Sequence, residues 1–247
     1  NLLIITGILI LTFVVFSPSL NNGFLNWDDN LQITDNKDIT ELSFKSITTF
    51  FSSFYVGMYQ PVTTLSYAID YKIAGLNSTY FHFSNMLFHF INILLVFILF
   101  RKISSNIFIV SFITLFFAIH PLQVETVSWL SARSNMLYTL FYLLALIKYL
   151  DYIQSGLKPK YYFYTIFFFL LSLFSKSSAV TFPVLLFIFD YFYSRNLISK
   201  RVILEKIPLI LVSILFGIVT IIARKEAEHL TDISKYFNLF ERFLLAS

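Results

Sequence analysis

The sequence predicts an all-α, polytopic membrane protein, and three observations carry that prediction. Hydrophobic residues make up 57% of the 247-residue chain and charged residues only 13%, against about a quarter charged in an ordinary soluble domain. Mean hydropathy is +0.74. The cations that remain cluster in short connectors between apolar runs, as topology signals do in multi-spanning proteins. That clustering speaks against nucleic acid as the reason for the net charge of +4. Cysteine is absent, which removes a disulfide framework, a thiolate metal site and a thiol nucleophile.

Taken in order, the chain divides into seven predicted spans near residues 2–17, 83–100, 105–119, 132–150, 161–174, 178–193 and 207–223, forming one transmembrane domain over 1–247. The first run ends at Pro18. Residues 18–80 form a long polar loop in which Asp38 and Glu41 have capping-box spacing and predict a helix start. Ile39, Leu42, Ile47, Phe50, Phe51 and Phe54 then recur at helical spacing. This describes either an interfacial helix, aromatic face down, or a helix packed on the protein's own loops. The second span ends at Arg101–Lys102. Ile107–Ile119 is only about 20 Å long as a helix, short for a bilayer, and His120–Pro121 stops it. The segment from Val124 begins amphipathic and turns apolar from Met136. Lys158–Pro159–Lys160 is a tight connector, Ser175–Ser178 interrupts the next apolar run, and Ser194–Lys206 is basic. A chain opening at Asn1 and closing inside a mixed pattern at Ser247 reads as the N-terminal part of a longer protein.

Orientation follows from Lys and Arg. A cytoplasmic N-terminus gathers Arg101, Lys102, Lys158, Lys160, Arg195, Lys200, Arg201 and Lys206 on the inner side. Asp28, Asp29, His120, Glu125 and Lys176 then share the non-cytoplasmic face.

The chemistry-bearing residues lie at that face. Asp28 and Asp29, behind Trp27, can supply a general base or a ligand for Mg²⁺ or Mn²⁺; a solvated, Asp-capped turn explains them equally well. Glu125 reads as a second carboxylate for the same site, with Asp28 and Glu125 as the ligand pair if a divalent cation is used, or as a favourable charge at a helix start. Arg133 is costly inside a membrane and therefore a functional candidate, unless it snorkels. His82, Asn85, His89 and Asn92 follow a 3-4-3 spacing on one helix face and predict a seam toward the bundle interior. Of these, His82 is the site candidate. Lys176 interrupts two apolar runs and needs a partner, for which a lipid phosphate or the bilayer headgroups qualify. Tyr59–Gln60–Pro61 reads as a turn. Asp28, Glu125 and Lys176 are expected to converge on one cavity.

The ordered series FLNWDD, YQPVTTLSYAIDY, FHFSNMLFHFIN, AIHPLQVETVSWLSAR, SKSSAVTFPVLLFIFDY and EKIPLILVS resembles the transmembrane O-mannosyltransferase family that carries TPR repeats, together with its bacterial relatives. The resemblance covers residues 20–215. It implies a GT-C-type helix bundle with interfacial helices in its first outer loop. It also implies an inverting transfer from a polyprenyl-phosphate-linked sugar to an acceptor hydroxyl, with protein Ser/Thr or a glycan as acceptor. Asp28 and Asp29 match the acidic pair of the first outer loop, Glu125 the acidic position of the second, and Arg133 and Lys176 basic positions used toward the donor phosphate. Tyr59, Gln60, His82 and His120 are the further substrate-binding candidates. Where the family shows Arg-Lys-Asp, this chain has Arg133–Ser134–Asn135, and no TPR repeat lies within it. A non-catalytic membrane subunit with the same bundle is the alternative reading. A transporter would place its polar groups at the midplane rather than at one face.

Overall fold

The computed structural model describes residues 2–227, in which the regular structure is helical apart from an isolated bridge between Tyr55 and Met58. Helix α1 (Leu2–Phe16) gives way to a tight turn at Ser17–Asn21, where Pro18 lacks the N–H that would continue the ladder. Helix α4 (Ser78–Ile103) starts on Asn77, whose side chain accepts the Tyr80 N–H at 3.1 Å. It ends on Arg101 and Lys102, cations suited to a helix C-terminus. Asn106 caps α5 (Ile107–Ile119) by accepting from Phe108 and Ile109. After a break come α7 (Arg133–Gln154), α8 (Pro159–Ser175), α9 (Phe182–Phe192) and α10 (Lys200–Glu226). Among the described residues, four helical stretches are long and apolar enough to cross a membrane: Leu2–Asn21, Ser78–Ile103, Leu130–Gln154 and Lys200–Glu226. The apolar runs Ile107–Ile119 and Ser177–Phe192 are shorter, and α8 has 17 residues.

Helix α7 is the central post. Leu143, Leu146 and Leu150 on it meet Leu95 and Leu99 of α4 and Phe169 and Leu173 of α8 in one buried cluster. The polar seam of α4 faces inward and is fully buried. His89 Nε2 lies 2.8 Å from the Ala118 carbonyl, and the Asn92 amide donates to the Met136 carbonyl at 3.0 Å. These bonds satisfy carbonyls where α5 and α7 meet α4, so the seam fixes the register of three helices.

The bundle has two chemically distinct ends. At the basic end, Lys102 pairs with Asp151 at 2.6 Å. Deeper there, Asp190 meets Lys206 at 2.6 Å and Arg195 at 2.7 Å, while Arg195 also holds Glu205 at 2.8 Å. The Tyr149 hydroxyl donates to Asp190 at 2.7 Å. This network ties α7, α9 and α10 together.

The other end carries the loop after α1, where two expectations change. The capping-box residues do not start a helix. Lys37–Thr40 is a single turn capped by Asn36, Asp38 accepts from the Tyr55 hydroxyl at 2.8 Å, and Glu41 is extended. The helix α2 (Phe44–Ser52) begins three residues beyond Glu41, on Ser43, which accepts the Ser46 N–H. Its Phe50 is buried with Ile33, Ile39, Tyr67 and Phe81, so that side of the helix packs on the protein's own loops, while Phe44 and Phe51 remain exposed. Of the mixed polar and apolar tail expected over Arg224–Ser247, Arg224–Glu226 complete α10, and residues 228–247 lie outside the described residues.

Candidate functional site

The site is built on the junction between α3 (Pro61–Ala74), α4 and the entry to α7. The segment from Gln123 does not run into α7 as one helix. A short helix α6 (Gln123–Ser128) ends at Trp129, whose backbone is extended, and Leu130–Ala132 forms a tight turn before Arg133. Glu125 therefore sits on α6 and not on a spanning helix. It is exposed, whereas Arg133 is wholly buried.

Asp29 docks the loop onto that turn. Its carboxylate accepts from the Ser131 N–H at 2.9 Å and the Ser131 hydroxyl at 2.5 Å, and from the Leu25 N–H at 2.9 Å. Only 1% of the residue is exposed. Both oxygens are thus committed to folding. Asp28 next to it is half-buried and makes no hydrogen bond or ion pair with a described residue. The two adjacent carboxylates have been separated by role: one anchors, the other is available.

Arg133 is held from all sides. Its guanidinium lies 2.6 Å from an Asp70 oxygen, and it donates to Asn85 Oδ1 at 2.6 Å and to the Phe81 carbonyl at 3.1 Å. The cation also lies over the Tyr67 ring, 4.6 Å from its centroid, a favourable desolvated cation–π geometry. Burial pushes the Asp70 carboxyl upward, against the pull of Arg133 and of the Ser84 hydroxyl. Snorkelling is overturned: Arg133 faces protein, and Asp70 is its counter-ion. Sequence reasoning missed Asp70. The only signal was an isolated carboxylate in YAIDYK, one helical turn after Tyr67.

Tyr67 closes the arrangement by donating its hydroxyl to the Leu130 carbonyl at 2.8 Å. Tyr67→Phe removes one of two bonds to that carbonyl, which also accepts the Arg133 N–H, and we expect it to cost about 0.5–1.5 kcal/mol, read as a lowered thermal midpoint. A midpoint equal to wild type would show that the bond does not hold the turn.

His82 is buried, with the Gly23 backbone and Asp29 beside its ring. His120 lies at the end of α5, with its ring 4.5 Å from that of Phe116 and its Nδ1 accepting from the Leu122 N–H. It thus caps the turn into α6.

Lys176 reaches across to donate to Asn135 Oδ1 at 2.5 Å. It lines a cavity of about 90 Å³ together with Tyr59, Gln60, Ser177 and Arg224. Tyr59 and Gln60, a turn by spacing and substrate-binding candidates by resemblance, thus join Lys176. Arg224 was not foreseen, because in sequence it belongs to the tail. Burial lowers the Lys176 pKa, Glu125 draws it up and Arg224 pushes it down. Glu125 is therefore an electrostatic neighbour of Lys176, but neither it nor Asp28 lies on this cavity's wall. The expected convergence on a single cavity becomes two regions joined by the Leu130–Asn135 segment, which carries both Ser131 and Asn135. Among the described residues, no three His, Asp or Glu side chains come together as a metal would require.

Fold and site together define a polytopic helical membrane protein in which Asp28, unpaired among the described residues, stands on a loop anchored to the bundle, and Lys176 and Arg224 line a separate cavity. The chain is 29% identical over 187 residues to the protein O-mannosyl-transferase Tmtc1 of Drosophila melanogaster, covering 72% of this chain and 21% of that protein. It is 30% identical over 125 residues to mouse protein O-mannosyl-transferase TMTC1, 49% of this chain and 13% of the relative. With human protein O-mannosyl-transferase TMTC3 it shares 28% over 163 residues, 60% and 17%. The chain thus spans about a fifth or less of the length of these curated relatives. No family model and no solved structure matches it.

Proposed function

We propose that the chain is the membrane portion of a GT-C-type glycosyltransferase. In this reading it transfers a sugar, mannose by analogy with its relatives' names, from a polyprenyl-phosphate donor to an acceptor hydroxyl of the protein Ser/Thr class. The reaction takes place at the non-cytoplasmic face. The observation that carries the reading is the division of labour in the acidic pair, with Asp29 saturated by Ser131 and Leu25 and Asp28 left without a partner among the described residues.

In this mechanism Asp28 accepts the proton of the acceptor hydroxyl as its oxygen attacks the anomeric carbon. The carbon–oxygen bond to the lipid phosphate breaks, the phosphate departs with the electron pair, and configuration inverts. Lys176 and Arg224 meet the charge that grows on the leaving phosphate. Glu125 helps keep Lys176 protonated. Arg133 positions the entry to α7 through Asp70 and Asn85, and so acts on both regions without touching either substrate. Gln60 and Tyr59 line the phosphate side, while His82 sits behind the acceptor side. No step is routed through a cation.

Transfer of radiolabelled sugar from a defined polyprenyl-phosphate donor by the purified protein tests this. Loss of one charge-assisted hydrogen bond predicts a roughly ten- to hundredfold fall for Lys176→Gln, seen in donor KM and kcat but not in acceptor KM. Unchanged donor kinetics remove Lys176 from the mechanism. Absence of transfer by wild type with every donor and acceptor pair favours the non-catalytic subunit.

A further inference from the structure

We infer that the basic end of the bundle holds a second lipid site, independent of the proposed transfer reaction, which takes the headgroup of an anionic phospholipid. A groove of about 560 Å³ opens there between α7, α8 and α10. Its walls are Tyr152, Tyr162, Leu204 and Pro208, and Lys200 and Arg201 stand at its rim. Both cations are exposed. Leu204 and Pro208 continue directly into the exposed apolar face of α10 at Leu211 and Leu215, the face a spanning helix turns to acyl chains. The groove thus joins an apolar channel to a polar, basic mouth, the two halves of a phospholipid.

The local charge balance identifies the sign of the headgroup. Glu205, at the base of the groove, is already bound by Arg195 at 2.8 Å, and Asp190 is bound by Lys206 at 2.6 Å and Arg195 at 2.7 Å. Arg201 reaches Glu205 only at 3.3 Å with most of its side chain in solvent, and Lys200 is in no ion pair with a described residue. With Arg195 and Lys206 neutralising the two carboxylates, the rim pair is left in excess. Two hydroxyls extend the mouth: Tyr152 donates to Glu205 at 2.6 Å and Tyr162 to the Glu205 carbonyl at 2.5 Å, so both rings are fixed as walls. Pro208, inside α10, cannot donate to the Leu204 carbonyl one turn earlier; the groove runs along this weakened turn. Basic pockets between spanning helices are suited to anionic headgroups, and each surface cation contributes about fivefold to the preference for anionic lipid.

The test uses the full chain in detergent micelles, following thermal unfolding as phosphatidylglycerol, phosphatidylcholine or inorganic phosphate is added. Phosphatidylglycerol is expected to raise the midpoint, and the other two to leave it unchanged. Lys200→Gln/Arg201→Gln should require on the order of thirtyfold more phosphatidylglycerol for the same shift. Leu204→Trp, which fills the groove and keeps both cations, should weaken the response as well. Lys45→Gln/Lys72→Gln, removing two exposed cations at the other end, should respond like wild type. The site is overturned if phosphatidylcholine works equally well, if phosphate alone suffices, if both groove variants keep the wild-type response, or if the distant pair loses as much as the rim pair.

Discussion

Asp28→Asn is expected to lower sugar transfer on the order of 10²–10⁴-fold, the usual contribution of a positioned general base, while leaving the thermal midpoint at its wild-type value. The two halves of that expectation have one cause. Asp28 makes no hydrogen bond or ion pair with a described residue, so its charge can be removed without leaving a buried donor unsatisfied. Asp29→Asn is expected to do the reverse in stability. Its carboxylate accepts from Ser131 twice and from Leu25 once, and an amide nitrogen facing the Leu25 or Ser131 N–H leaves a buried donor unpaired, costing about 1–3 kcal/mol. Transfer should fall with it to the extent that the loop loses its anchor, and lower temperature should restore part of that loss. For Asp28→Asn it should restore none. Measuring transfer and unfolding on both variants separates base from anchor. If Asp28→Asn transfers like wild type, the base lies elsewhere and the proposed mechanism fails.

How much of this was legible in sequence depended on whether the signal was local. The 3-4-3 spacing of His82, Asn85, His89 and Asn92 predicts a buried face, and all four are buried, because helical periodicity alone determines which residues share a side. The basic ends of α4 and α10 were equally readable. What could not be read were the pairings. Asp70 lies 63 positions from Arg133, in a helix with little amphipathic pattern, and nothing in either segment names the other. The roles within Asp28–Asp29 were likewise undetermined, since neighbouring carboxylates in a loop are equivalent until a partner such as Ser131 selects one. At the capping box, local reasoning failed for a local reason. Asn36 caps the turn at Lys37–Thr40 and Ser43 caps the helix that follows, and the hydroxyl of Tyr55 draws the Asp38 side chain away.

The departure at Asn135 has a structural consequence. Its side chain accepts from Lys176, so a neutral amide stands where the family pattern places a carboxylate. An aspartate there would neutralise Lys176; the asparagine orients the ammonium and leaves its charge uncompensated at that contact. With Arg224 on the same cavity wall, two positive charges stand together where the proposed mechanism places the leaving phosphate.

Arg133→Met carries the largest expected effect on stability. It removes the cation but leaves the Asp70 carboxylate, whose side chain is 7% exposed, in an apolar pocket of Tyr67 and Phe81. Breaking a buried pair this way costs about 3–5 kcal/mol, and the lost cation–π contact with Tyr67 adds to it. Arg133→Met/Asp70→Leu should recover most of the loss, since no charge is then stranded. The deficit of the single variant should also depend on pH. In the native protein, burial already raises the Asp70 carboxyl above its ordinary value of 3.8, and losing Arg133 raises it further. A group whose folded pKa lies above its unfolded one favours the folded state when protonated. The deficit should therefore shrink as pH falls through the raised value toward 3.8, and Asp70→Leu in the same background should abolish that dependence. A deficit of under 1 kcal/mol, or one that grows on acidification, would show that Asp70 is not the partner that makes Arg133 affordable inside the bundle.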